Sequence, residues 1–374
     1  MRVGIVGCGV IGAAIAFELS QFPEYQITVW DRRSLQAWEA TGAALGILMA
    51  ALSPKFKGRH LQLRLASLQG YETWIPRLET LGGSPLPYNR QGILKLCFQR
   101  DELRQWQAIQ QIRRQQGFEL EILQKEEFQD RYPQWKQAHL LADPQPVVGA
   151  IYSPQDRQID PIALTEALIK AAQLQGATLC FNTQVEQLRH DQTSVTPGVT
   201  HVCTLGQDYP VDWLIIAAGL GSRALTQSLN QRLALQPVLG QAMRLRRRHP
   251  IALPRPVVYG GQTHIVPLSQ TDLWIGATVE FPANDLSPDL FQPNPDQLQT
   301  LYQQAISLDP SLASAAVLNK WSGKRPRPQN QPAPIIEPLA GYRNVILATG
   351  HYRNGILLAP ITAQKVRQLM TAST

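Results

Sequence analysis

The stretch RVGIVGCGVIGAAIAFELSQF, residues 2–22, leaves few folds open. A continuous apolar run of strand type (2–7) meets a helical pattern (12–22) through a turn with glycines at Gly7, Gly9 and Gly12. YQITVWD (25–31) reads as a second buried strand, so the chain begins with a βαβ unit of about 30 residues. Each glycine then has its own task. Gly7 permits the tight turn, Gly9 lets a pyrophosphate approach the backbone where Val10 and Ile11 open the helix, and Gly12 lets helix pack on strand. Asp31, followed by Arg32, closes the second strand, where a carboxylate accepts from a ribose 2′-hydroxyl. The expected ligand is an adenine dinucleotide, FAD or NAD.

Elements of the same kind return at the far end of the chain. DWLIIAAGLGS (212–222) is a hydrophobic strand ending in a second glycine turn, with Ala218 and Gly219 placed to lie beside the first. NVILATG (344–350) is a last buried strand, and GHYRNGILLAP (350–360) opens a helix over 354–371. A nicotinamide enzyme has little need of this return. In a flavin site, a helix N-terminus aimed at the pyrimidine edge stabilises the charge that reduction places there. FAD is therefore the preferred reading. Arg353 at that helix mouth is disfavoured by the dipole, so its presence points to an anion nearby.

Between these ends, 59–81 and 100–117 carry amphipathic helical patterns and RQGILKLCF (90–98) alternates like a strand. Asp160 and Pro161 suit the cap and first residue of a helix closed at Gly176. Residues 233–282 are strand-rich, a proline-spaced segment (282–297) precedes a helix (296–308), and 320–338 has too many prolines for regular structure. The pattern predicts an α/β protein with two parts. A Rossmann-like GxGxxG nucleotide-binding domain takes 1–85, 145–230 and 323–374, and a discontinuous, antiparallel-sheet-rich α+β substrate domain takes 86–144 and 231–322.

Composition removes several classes. At 374 residues, with 44% hydrophobic and 17% charged residues, the chain is of ordinary globular type. The net charge of +7 includes basic clusters at 244–250 and 323–328, but these lack the interleaved aromatics of a nucleic-acid groove. No nucleic acid is expected, and the basic surface leaves peripheral membrane association open. No apolar run approaches the ~18 residues of a membrane span. Cys8, Cys97, Cys180 and Cys203 have neither CxxC spacing nor His partners, so no metal site or disulfide framework is expected. A reducing, cytoplasmic setting follows as the expectation.

GCGVIG with Asp31, TGAALGILMA (41–50), LIIAAGLGS, WSGKRP (321–326) and GHYRNGILLAP together resemble the D-amino acid oxidase superfamily, and within it the glycine oxidase branch of thiamine thiazole formation. The resemblance implies FAD held by Thr41, Gly42, Ala43, Ala44, Gly46 and Ile47 of the second motif and by Val185. It adds Gly350, His351, Tyr352, Arg353, Asn354, Gly355 and Ile356 of the last one. It also implies that Arg325 clamps a substrate carboxylate with Arg353 close by, which suits the planar fork of a guanidinium. Residues 31–48 contain no Cys or His and 321–356 only His351, so dissociable FAD is expected.

Three positions depart from the family pattern. His264 stands where a Tyr usually precedes the IVP triplet, Leu268 where an Arg often follows it, and Arg327 is additional. His264 either replaces the phenolic donor or is a packed strand residue. Arg327 either receives a second, side-chain carboxylate or faces solvent. The first choices together predict a substrate larger or more polar than glycine and a pocket sensitive to pH near neutrality. The implied reaction takes a small amino acid to an imine, then a 2-oxo acid and ammonia, with O2 reduced to H2O2. Two alternatives remain at this point: a dehydrogenase serving a quinone or protein acceptor, and a flavin-binding assembly protein without turnover. The oligomeric state is left open.

Overall fold

Strand Arg2–Val6 lies inside a six-stranded sheet, between Trp213–Ile216 on one side and Gln26–Trp30 on the other, parallel to both. The computed structural model describes residues 1–142, 144–191, 196–252, 255–282 and 293–372; of the segment expected at 282–297, residues 283–292 lie outside these. The sheet continues through Val345–Thr349 to Ile335–Pro338 at one edge and ends at Thr178–Cys180 at the other. Only the Ile335–Pro338 edge strand runs antiparallel. A parallel sheet covered on both faces calls for continuous apolar strands. Val345–Thr349, buried at every residue, is one such strand.

Helix Val10–Leu19 is also buried at every position and packs against helices Pro161–Leu174 and Gly355–Ala372. A helix almost wholly apolar, with its one carboxylate, Glu18, paired to Arg367, belongs in an interior. Asp160 caps the second of these, accepting from the backbone N–H groups of Ile162 at 2.9 Å and Ala163 at 3.0 Å, with Pro161 at the first position.

The second large sheet has eight strands, in the order Ala316–Pro328, Leu235–Arg246, Asp272–Gly276, Thr263–Pro267, Val257–Gly260, Ile93–Cys97, Gly149–Ser153 and Glu121–Gln124. Its pairs are antiparallel except Val257–Gly260 with Ile93–Cys97. Strand Gly149–Ser153 pairs with Ile93–Cys97. One expectation changes here. Of the proline-rich stretch 320–338, the part up to Pro328 is regular: strand Ala316–Pro328 pairs along its length with Leu235–Arg246. Prolines are tolerated because this is an edge strand, with a free side that needs no N–H donors.

One apolar cluster includes residues of both sheets, from Ile5 and Ile15 to Ile93, Ala242 and Val266. The two sheets therefore share a core rather than meeting across a wet interface.

Gly12 shows how tight the first turn is. A Cβ built there would lie 1.8 Å from the Gly7 carbonyl oxygen, a backbone atom with no freedom to withdraw. Gly12→Ala should cost roughly 1–3 kcal/mol of stability through overpacking, read as a lower midpoint in chemical denaturation of the cofactor-free protein.

Candidate active site

The cleft enclosed between the two sheets has a volume of about 580 Å³ and runs from the first glycine turn to the start of the last helix. Gly7, with φ +99°, sits against the second glycine turn: its Cβ would lie 2.7 Å from the Ala217 carbonyl oxygen. The two turns are thus in contact, held also by the Ala217 N–H donating to the Val6 carbonyl at 2.8 Å. The Val10 N–H donates to Thr41 Oγ1 at 3.1 Å. A Cβ at Gly9 would meet only that hydroxyl, at 3.2 Å, so the loop presents bare backbone to the cleft.

Asp31 accepts from the N–H groups of Cys8 at 2.6 Å and Arg33 at 2.9 Å. Arg33 folds back over the turn, its Nη2 donating to the Cys8 carbonyl at 2.7 Å and its guanidinium lying 4.2 Å from the Trp38 ring centre. The glycine cradle, the carboxylate beside it, Val185 on the wall and the helix mouth at 350–356 all line one continuous cavity. An extended dinucleotide such as FAD fits this arrangement of residues.

The far end is rich in guanidinium. Arg325 Nη1 donates to the Leu239 carbonyl at 3.1 Å and the Thr278 carbonyl at 3.0 Å, which fixes the head against the cleft wall. Room for it comes from Gly240, where a Cβ would lie 1.9 Å from Arg325 Nη2. Burial, followed by the Arg353 charge, pushes the Arg325 guanidinium down to about 10, so it stays charged at neutral pH. Tyr352, at φ 53°, donates its N–H to the Pro326 carbonyl at 3.0 Å and so ties the loop bearing Arg353 to the strand bearing Arg325. Arg353 itself is exposed and lines the same cleft.

His264 also lines it, stacked on Tyr259 with ring centres 4.5 Å apart and Nδ1 3.3 Å from the Gly276 carbonyl oxygen. Burial and then Arg353 push this imidazole down to about 4. The expected charge change near neutrality does not occur, because the ring sits in the sheet where ionisation is costly. His351 orients its loop: its Nε2 is 2.9 Å from Thr362 Oγ1, and burial pushes it down to about 3.

Arg32, Ala43, Ala44, Gly46, Ile47, Ala218 and Gly219 line the cleft as expected from sequence, but three residues do not. Gly12 lies beneath the turn, and a Cβ at Gly42 would meet the Trp38 Cβ at 2.4 Å, so both glycines serve packing. Arg327 is turned aside, its guanidinium 5.2 Å from the Phe281 ring centre and 5.8 Å from that of Tyr352. Conversely, Arg33, Trp38, Met49, Arg64 and Tyr259 line the cleft without having been singled out. Arg33 was within reach of the sequence, as the neighbour of Asp31 and Arg32. Arg64 and Tyr259 depend on how distant elements cross.

A family model described as FAD dependent oxidoreductase matches residues 2–369. The chain belongs to that family. It is 34% identical to the bifunctional protein ThiO/ThiG of Synechocystis sp. over 98% of its own length and 51% of the relative's. It is 29% identical to the glycine oxidase of Geobacillus kaustophilus, over 98% and 92%. The chain thus spans about half the length of the bifunctional relative. The crystal structure of that Geobacillus glycine oxidase superposes with a TM-score of 0.83 at 28% identity, covering 99% of this chain and 95% of the other. The cradle around Gly7, Gly9 and Asp31 is where the FAD of such a family fits.

Two outcomes follow from this geometry. Gly240→Ala collides with the far end of a flexible side chain rather than with backbone, so it should displace the Arg325 head with little loss of stability. Steady-state kinetics should show a raised KM for substrate, of roughly 10-fold if one charge-assisted bond is lost, beside an unchanged thermal midpoint. The second outcome concerns acid. Both buried imidazoles are held neutral, whereas in the unfolded chain they protonate near the ordinary 6.5. As pH falls from about 6.5 toward about 4 the unfolded chain binds protons that the fold excludes, so stability falls across that window. His351→Gln should flatten this limb, seen by comparing denaturation midpoints at about pH 7 and about pH 5.

Proposed function

We propose that the protein oxidises an amino acid at its α-carbon, with Arg325 gripping the α-carboxylate. The observation that carries this reading is the Arg325 head: anchored on two carbonyls, given room by Gly240, and facing a cleft continuous with the nucleotide cradle. FAD, when bound, supplies the two-electron acceptor for the α-hydrogen of the amine. The side chains have less to do. Arg325 and Arg353 fix the carboxylate and hence the α-carbon, and positioning of this kind is a large part of catalysis. Their charges disfavour the ammonium form of the substrate and so promote the neutral amine that can be oxidised. His264, neutral and stacked on Tyr259, contributes a polar edge without adding charge. The imine product hydrolyses in water to a 2-oxo acid and ammonia.

Oxygen is the proposed electron acceptor, and the chain's resemblance to glycine oxidases supports it. A reducing, cytoplasmic setting suits four cysteines that are all free thiols. The deciding experiment mixes the FAD-loaded protein anaerobically with single amino acids and follows bleaching of the flavin absorbance. Bleaching by an amino acid, then peroxide formed on adding air, is the expected result. No bleaching by any amino acid would overturn the reading, and turnover only with an artificial acceptor would replace oxygen.

Two further outcomes belong here. FAD should leave the polypeptide on acid or heat denaturation, since His351 at the helix mouth is bonded to Thr362. Arg325→Ala should raise the substrate KM by on the order of 10- to 100-fold with FAD retained. Arg353→Ala should slow anaerobic flavin reduction more than it weakens FAD retention.

A further inference from the structure

A third guanidinium reaches the substrate end of the cleft from a separate element, helix Arg59–Gly82. Arg64 lines the cavity next to Met49, and its Nη2 donates to the Met49 carbonyl. Its Nε is buried with no partner among the described residues. The acid closest in effect, Asp156, is already committed. One of its oxygens accepts from the N–H groups of Ala50 at 2.7 Å and Ala51 at 2.9 Å, and the other from Leu52 at 3.0 Å. No carboxylate forms an ion pair with Arg64 among the described residues. The other charges acting on it, Arg113 and Arg353, are cations.

Tethering Met49 would need only a neutral donor. A charged group largely out of water, with a donor unused and cations nearby, is costly unless an anion arrives from outside. The α-carboxylate has its own partners in Arg325 and Arg353. Arg327, the residue that sequence reasoning offered for a second carboxylate, is turned toward Phe281 and Tyr352. Arg64, unlike Arg327, lines the cavity.

We propose that Arg64 receives a second anionic group of the substrate, so that the preferred substrate is an amino acid bearing an additional carboxylate. This rests on the amino-acid oxidase reading above. A guanidinium fork matches a carboxylate in two parallel hydrogen bonds, so the second group would fix orientation as well as charge. Arg64 thereby acts as a specificity residue, while the reacting atoms remain with the α-carboxylate clamp.

The test compares aspartate and glutamate with their uncharged counterparts asparagine and glutamine, using the FAD-loaded wild type and Arg64→Gln. Glutamine at 64 keeps a donor for the Met49 carbonyl and removes the charge. The wild type should favour the dicarboxylic member of at least one pair in kcat/KM. Arg64→Gln should raise the KM for that member by roughly 10- to 100-fold, leaving its kcat and the KM of the amide counterpart nearly unchanged. Equal preference within both pairs in the wild type, or an equal rise for acid and amide in the variant, would overturn the proposal.

A second arm needs no turnover. Succinate and glutarate are titrated against acetate and butyrate, following the perturbation of the bound-flavin spectrum. Tighter dicarboxylate binding in the wild type, lost in Arg64→Gln, supports the assignment, and equal dissociation constants overturn it. If no amino acid reduces the flavin, the oxidase reading fails while this titration still decides the role of Arg64. Should Arg64→Gln lose FAD, Arg64→Lys replaces it: a dicarboxylate preference that survives supports the proposal, and one abolished with the charge retained counts against it.

Discussion

The contact between Gly7 and Gly12 sets the floor on which the rest is built. The carbonyl of Gly7 occupies the space where a side chain on Gly12 would begin, and Gly7 itself leaves none for a side chain against Ala217. Three backbone segments therefore converge at one point: the first turn, the first helix and the second glycine turn. Because they approach so closely, the loop can present N–H groups, rather than side chains, to a pyrophosphate. The threonine at 41 and the carboxylate of Asp31 then stiffen the loop from either side through Val10, Cys8 and Arg33.

At the opposite end the governing quantity is charge. Arg64, Arg325 and Arg353 come from a helix, an edge strand and the loop before the last helix, respectively. Each alone would be an ordinary surface or wall residue. Together, with two neutral histidines beside them, they make a region of positive potential whose walls are low in dielectric, where such fields act most strongly. The fold holds these like charges in place by anchoring their backbones and heads. Arg325 is held on two carbonyls, Arg64 on Met49, and the Arg353 loop by the Tyr352 N–H.

What the sequence made legible was local. The GCGVIG spacing, Asp31 at a strand end, Asp160 before Pro161 and the glycines around GHYRNG all express constraints that act over a few residues, and the structure has each in the expected setting. What was hidden depends on register between distant strands. Pro326 and Pro328 argued for an irregular loop, yet an edge strand has one side free, and Pro326 simply faces Pro237 across the ladder. His264 and Tyr259 stack because they are partners in a hairpin, and burial in that setting, followed by the Arg353 charge, lowers the pKa below that of an isolated histidine. Arg327 lies two residues beyond Arg325 on the same strand, but only packing against Phe281 and Tyr352 reveals that it turns away. Arg64 sits in a helix whose Gln- and Arg-rich composition gave no hint that one arginine faces inward.

The parallel pairing of Val257–Gly260 with Ile93–Cys97 and the seat of the first helix against Gly355–Ala372 join parts of the chain that are far apart in sequence. The first helix is buried on every side, and its one carboxylate, Glu18, pairs with Arg367 of the last helix, so it has no stable resting place until the last helix has been made. Folding of the nucleotide-binding sheet must then wait until residues 355–372 have been made, and native contacts of such long loop length form slowly. During that interval an uncovered apolar helix and unpaired parallel strands are exposed to other chains.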